Sequence, residues 1–200
     1  MGKMFIKEIK RQLFHLLLGL ALVILIKCNI IGLKSLAVLF FVGFILSLLS
    51  RKYDIPCISW FLKHFARNRH KTAFPGKGAL FYILGVFFAL LLFSKEIALA
   101  SIMILALGDS VAALFGMHYK GKRKHPFSSK KYLEGALLGG LVGFFGAMLF
   151  VNPIYAFIAS MLAMVIEGID IRLGFTQVDD NLIIPVAAGL ILTLLKFIFG

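Results

Sequence analysis

Ile97-Ala-Leu-Ala-Ser-Ile-Met-Ile-Leu-Ala-Leu-Gly-Asp-Ser-Val-Ala-Ala-Leu-Phe-Gly-Met-His-Tyr119 carries a single acidic residue, Asp109, and no Lys or Arg. A run of this length and character matches the roughly 20 apolar residues that a helix needs to cross a bilayer. Asp109 sits near its far end, where a carboxylate is costly unless it meets a cation, a metal ion or water. The same pattern continues on both sides. Residues 12–26, 35–50, 78–94, 135–166 and 181–195 are also free of charge, and the chain as a whole is 60% apolar and 16% charged. A soluble domain could not cover so much apolar surface. Several of these runs reach spanning length only if a flanking Lys or Arg extends its ammonium or guanidinium to the interface. Asn152-Pro153 divides the run 135–166 into two helices joined by a tight turn. The expected fold is therefore an all-α, polytopic membrane bundle in one domain over residues 1–200. Its seven spans fall at about 12–31, 35–50, 78–94, 97–117, 132–151, 154–168 and 181–199.

A net charge of +13 invites a nucleic-acid reading, but the distribution of charge fits a membrane better. With the N-terminus on the cytoplasmic side, eighteen of the 22 Lys and Arg residues fall inside; only Lys27, Lys34, Lys95 and Lys196 fall outside. That asymmetry fixes the expected orientation. No nucleic-acid partner is expected; the lipid bilayer is. The basic N-terminus precedes no small-residue cleavage site, so the first helix is expected to be retained. Cys28 and Cys57 fall on opposite sides, which leaves neither a disulfide nor a thiolate metal set.

Outer connections at 95–96 and 152–153 are mere turns, whereas the long loops 51–77, 118–131 and 169–180 all face the cytoplasm. One developed face argues against a receptor and for an enzyme that meets a soluble substrate and a bilayer lipid. Within the first loop, Trp60, Phe61 and Phe65 alternate with basic residues up to His70, as in a short amphipathic helix lying among headgroups.

Asp109 is followed by Ser110, Ala112, Ala113 and Gly116, residues small enough for close helix packing. The next loop holds Lys120, Lys122, Arg123, Lys124, Lys130 and Lys131. Six cations on one loop can clamp a polyphosphate, and Gly121 lets backbone amides approach its oxygens. Asp109 and Glu134 bracket that loop. Two carboxylates beside a phosphate clamp suit Mg²⁺, which is held by one or two carboxylates together with phosphate oxygens. A plain topogenic basic loop, with Asp109 paired to a lysine, is the alternative.

In order, Asp109, Ala112, Gly116, Gly121, Lys130, Lys131, Glu134 and Gly135 resemble the CTP-binding pattern of the dolichol kinase, phytol kinase and CTP-dependent diacylglycerol kinase family, relatives of the membrane CTP:phosphatidate cytidylyltransferases. That pattern is D-x-x-A-x-x-x-G-x-x-x-G-x8-K-K-T-x-E-G. This chain departs from it by one extra residue between Gly116 and Gly121 and by Tyr132 in place of Thr. Three further stretches share the resemblance: Lys10-Arg-Gln-Leu-Phe-His15; Phe74-Pro-Gly-Lys-Gly-Ala79, with Gly76 and Lys77; and Asp179-Asp-Asn-Leu-Ile-Ile-Pro185, with Asn181, following Glu167. Each also has a plainer reading, as an interfacial His, a Pro-Gly turn and a helix cap.

The resemblance implies transfer of the γ-phosphoryl of CTP to the hydroxyl of a membrane lipid alcohol, prenol-like or diacylglycerol-like. It implies Mg²⁺ on Asp109 and Glu134, and nucleotide on Gly116, Gly121, Lys130, Lys131, Glu134 and Gly135. Asp109 and Lys131 would be catalytic, with Asp180 the candidate base for the hydroxyl. His15, Gly76, Lys77, Glu167, Asp179 and Asn181 are secondary candidates. A cytidylyltransferase making a CDP-lipid would use the same cradle. A cation- or proton-coupled transporter relaying through Asp109 and Glu167 is the rival of another class.

Overall fold

A computed structural model describes residues 2–65, 75–119, 131–169, 172–173 and 176–200. Its helices are α1 (Gly2–Lys27), α2 (Leu33–Leu49), α3 (Pro56–Phe65), α4 (Lys77–Leu92), α5 (Lys95–Met103), α6 (Ser110–Tyr119), α7 (Leu133–Ala147), α8 (Pro153–Glu167) and α9 (Asp180–Phe199). A π-helical segment, Ile104–Asp109, joins α5 to α6 in one continuous rod. Among the described residues three rods are long and apolar enough to cross a membrane: Phe5–Lys27, Lys95–Gly116 and Asp180–Phe199. The apolar helices α2, α4, α7 and α8 are shorter, at 15 to 17 residues. One departure from an all-helical chain is a small antiparallel pair, β1 (Arg172–Leu173) with β2 (Thr176–Gln177), inside the loop before α9.

Local chemistry accounts for the helix boundaries. Asn152 caps α8, its side chain accepting from the Ile154 amide at 2.9 Å, and Pro153 occupies the first turn, where a missing N–H costs nothing. Asp179 caps α9 by accepting from the Asn181 amide at 3.3 Å. Gly76 precedes α4 with φ +73, a left-handed conformation that a side chain would strain. The amphipathic segment is helical as α3, and Phe61 and Phe65 pack on Phe14 of α1 with ring centroids 5.0 and 5.1 Å apart.

The rod α5–α6 is the centre of the bundle. In its most apolar window 67% of residues are buried, against 28% in α1 and in α9. Helix α7 lies on one side of the rod, with α8 behind it; α9 packs on α8, α5 and α4. What lets α7 approach is the absence of side chains. A methyl group at Gly139 would fall 2.6 Å from the Gly108 carbonyl oxygen, and one at Gly135 would fall 3.1 Å from that of Ala112. Glycines at such contacts allow backbones to approach within van der Waals range, the main attraction available between helices in lipid. This antiparallel seam carries the start of α7, with Glu134, alongside α6.

Candidate active site

The polar side chains gather at one end of the bundle. Lys131, immediately before α7, is the hub. Its ammonium donates to the main-chain carbonyl of Glu167 at 2.7 Å, to Glu167 Oε1 at 2.7 Å and to Asp180 Oδ2 at 2.8 Å. Three contacts use all three donors of an ammonium. Burial alone would lower the pKa of Lys131. The Glu167 and Asp180 carboxylates more than offset that and hold it above the usual lysine range. Asp179, next to Asp180, shifts the other way for an acid. Burial raises its carboxyl above the usual range despite the amide bond from Asn181.

Asp109 closes the π-helical segment, and its charge acts on both Glu167 and Asp179. Its carboxylate is mostly buried, and His15 Nε2 stands 3.7 Å from Oδ2, too far for a hydrogen bond. Among the described residues no Lys or Arg forms an ion pair with Asp109. A π turn inserts one residue into the helical ladder and so re-phases every side chain beyond it; such turns recur at functional sites. The sequence carried no sign of it.

Around His15 lies a seam of polar atoms that sequence reasoning passed over. The His15 ring packs edge-on against Tyr82, centroids 4.4 Å apart. His15 Nε2, Tyr82 Oη and Gln12 Oε1 are buried without hydrogen-bond partners among the described residues. Ser110 Oγ donates to the Gln12 carbonyl at 3.4 Å, tying α6 to α1. One signal was available: Gln12 precedes His15 by three residues and shares its helix face.

The other candidates are dispersed. Glu134 lies in the first turn of α7, and Gly135 faces the Ala112 carbonyl. A methyl group at Gly116 would lie 4.0 Å from the Tyr132 ring. Lys77 lays its ammonium over the Phe81 ring at 5.1 Å. Asn181 donates to the Gly78 carbonyl at 3.1 Å, so the first turn of α4 and the start of α9 are joined. Gly121 and Lys130 lie outside the described residues.

Among the described residues no group of three or more His, Cys, Asp or Glu is arranged to hold a metal ion by itself. That suits Mg²⁺ carried in on a triphosphate, because phosphate oxygens then supply the remaining ligands. A mostly buried Asp109 with no Lys or Arg partner among the described residues fits such an ion.

Comparison with known proteins agrees with the motif. A protein of Methanocaldococcus jannaschii described as uncharacterized is 29% identical over 190 residues, covering 93% of each chain. The CTP-dependent diacylglycerol kinase 1 of Saccharomyces cerevisiae is 26% identical over 208 residues, 92% of this chain and 71% of the yeast one. Phytol kinase 1 of Arabidopsis thaliana is 29% identical over 128 residues, 56% of this chain and 41% of the plant one. No family profile matches the chain. No solved structure matches it either. The relatives of this chain thus include CTP-dependent diacylglycerol kinases and phytol kinases, the family whose nucleotide pattern Asp109 to Gly135 resembles.

Proposed function

We propose that this protein is a CTP-dependent lipid kinase of the membrane, phosphorylating the hydroxyl of a lipid alcohol. The observation that carries this reading is the hydrogen-bonded meeting of Lys131, Glu167 and Asp180 at one end of a helical bundle. They lie along the stretch that aligns with a CTP-dependent kinase over nine-tenths of the chain. Seven passes with the N-terminus in the cytoplasm would put that end where CTP is, in keeping with the cation asymmetry.

Asp109 and Glu134 would hold Mg²⁺, which would neutralise charge on the triphosphate. The rest of the work is positioning and electrostatic stabilisation, as in phosphoryl transfer generally. Gly116, Gly121 and Lys130 would cradle the phosphates, with Gly135 keeping α7 close to α6. The acceptor oxygen forms a bond to the γ-phosphorus, and the bond from that phosphorus to the β,γ-bridging oxygen breaks. CDP leaves, and the hydroxyl proton passes to Asp180 or to water. A loose transition state asks little of a base, so Asp180 serves mainly to orient the hydroxyl.

The test is incubation of the purified protein with γ-labelled or α-labelled CTP and a mixture of lipid alcohols and lipid phosphates. Label passing into lipid from γ-labelled CTP only, with a requirement for Mg²⁺ and little transfer from ATP, is the expected result. Label passing from α-labelled CTP would mean a cytidylyltransferase. No transfer from either would end the enzymatic reading.

A further inference from the structure

Lys131 belongs to the lysine pair of the nucleotide pattern, yet its ammonium is committed elsewhere. Glu167 is the last residue of α8, where main-chain carbonyls lose their helical partners. Lys131 donates to one of them, to the Glu167 carboxylate and to Asp180 in the first turn of α9. One side chain thereby ties the start of α7 to the end of α8 and the start of α9. Breaking such a partly buried set by removing one member leaves an uncompensated charge, so the arrangement resists rearrangement. Moving the ammonium onto a phosphate would break its contacts with the Glu167 carbonyl, the Glu167 carboxylate and the Asp180 carboxylate.

We propose that Lys131 is a positioning residue. It fixes the Asp180 carboxylate toward the acceptor alcohol and ties the three helix ends together, and it does not contact the triphosphate. This inference rests on the kinase reading for its consequence in catalysis, though not for its geometry.

The experiment uses Lys131→Met, Glu167→Gln and Lys131→Met/Glu167→Gln in the full chain, purified in detergent, with activity expressed per folded protein. For Lys131→Met, kcat should fall about tenfold to a hundredfold and KM for the lipid alcohol should rise. KM for CTP should stay within about twofold. The double variant, which removes both charges, should recover unfolding temperature relative to Lys131→Met. It also supplies the kinetic reading if the single variant does not fold. A rise of about tenfold in KM for CTP overturns the proposal, because it makes Lys131 a phosphate contact. Unchanged kinetics in a folded variant overturn it too, because the contact would then be structural only. If the wild type transfers no phosphate from CTP, the proposed function fails. The inference is then judged on unfolding temperatures alone, where additivity between the Lys131 and Glu167 substitutions refutes it.

Discussion

Apart from Lys34 and Glu134 in their first turns, helices α2 and α7 carry no charge, and the bundle treats them differently. In α7 the buried residues are Gly135, Ala136, Gly139, Gly140, Gly143, Gly146 and Ala147, all of them small. In α2 only Leu36 and Ser47 are buried, while Val38 and Phe41 are exposed at 63% and 62%. In water the helix with the larger side chains would be the better buried. In lipid, apolar surface gains nothing by leaving the hydrocarbon, so close packing between backbones decides which helix is central. Small residues allow that packing on α7. Phe, Leu and Val face outward on α2, which rests mainly on α4. The polar end is built on the tightly packed side, where Asp109 closes the π-helical segment and Lys131 precedes α7.

This contrast predicts a steep gradient of sensitivity. The largest effect belongs to Asp109→Asn, which keeps size and shape but removes the charge that would bind metal. Turnover should fall roughly a thousandfold, equivalent to about 4 kcal/mol in the barrier, with the unfolding temperature in detergent nearly unchanged. A folded Asp109→Asn protein of near-normal turnover would leave only a packing role for this helix. Next comes Gly139→Val, whose branched side chain would collide with the Gly108 carbonyl and Met164. It should destabilise the bundle by about 1–3 kcal/mol, measured by chemical or thermal unfolding, and lower activity by displacing α7. Phe41→Ala, on the lipid-facing side of α2, should alter stability by less than about 0.5 kcal/mol and leave turnover alone. A large loss there would mean that α2 has a partner, and the comparison between the two helices would fail.

The smallest expected effect sharpens the picture at the α9 cap. Asp179 has its carboxyl pKa raised by burial, so the folded state favours the protonated acid. Its effect on stability is therefore most favourable below the ordinary carboxylate pKa, and that advantage is lost as pH rises through the folded value. Asn caps helices as well as Asp does and carries no charge. Asp179→Asn should thus raise the unfolding temperature slightly at neutral pH and have little effect near pH 4. Equal shifts at both pH values would show that burial of the charge is not what burdens this cap.

Much of the architecture was legible in the residues alone, because a bilayer imposes strong one-dimensional rules. The gaps between charges located α1, α2, α4, the α5–α6 rod, α7, α8 and α9. Asn152-Pro153 marked the start of α8, and Asp179 the cap of α9. The pattern from Asp109 to Gly135 pointed to the CTP-dependent lipid kinases and phytol kinases among its homologues. The amphipathic run beginning at Trp60 became α3, although its continuation beyond Phe65 lies outside the described residues. Those features depend on hydropathy, charge and local hydrogen bonding, all of which adjacent residues express.

What the sequence could not supply was who faces whom. Nothing local distinguishes Lys131 as the partner of Glu167 and Asp180, which lie 36 and 49 residues away. Nor did any residue pattern announce the π turn at Ile104–Asp109 or the meeting of Gln12, His15 and Tyr82 from two separate helices. The β1–β2 pair was likewise invisible in a loop read as irregular. By itself the sequence determined which segments are helices in lipid, where they stop and which chemical family its motif resembles, because those depend on each segment's own composition. Only the tertiary structure decided that α7 packs closely on the central rod while α2 is peripheral, and that Lys131 ends among carboxylates. Such contacts are set by the fit of backbones and side chains from distant segments, which no single segment contains.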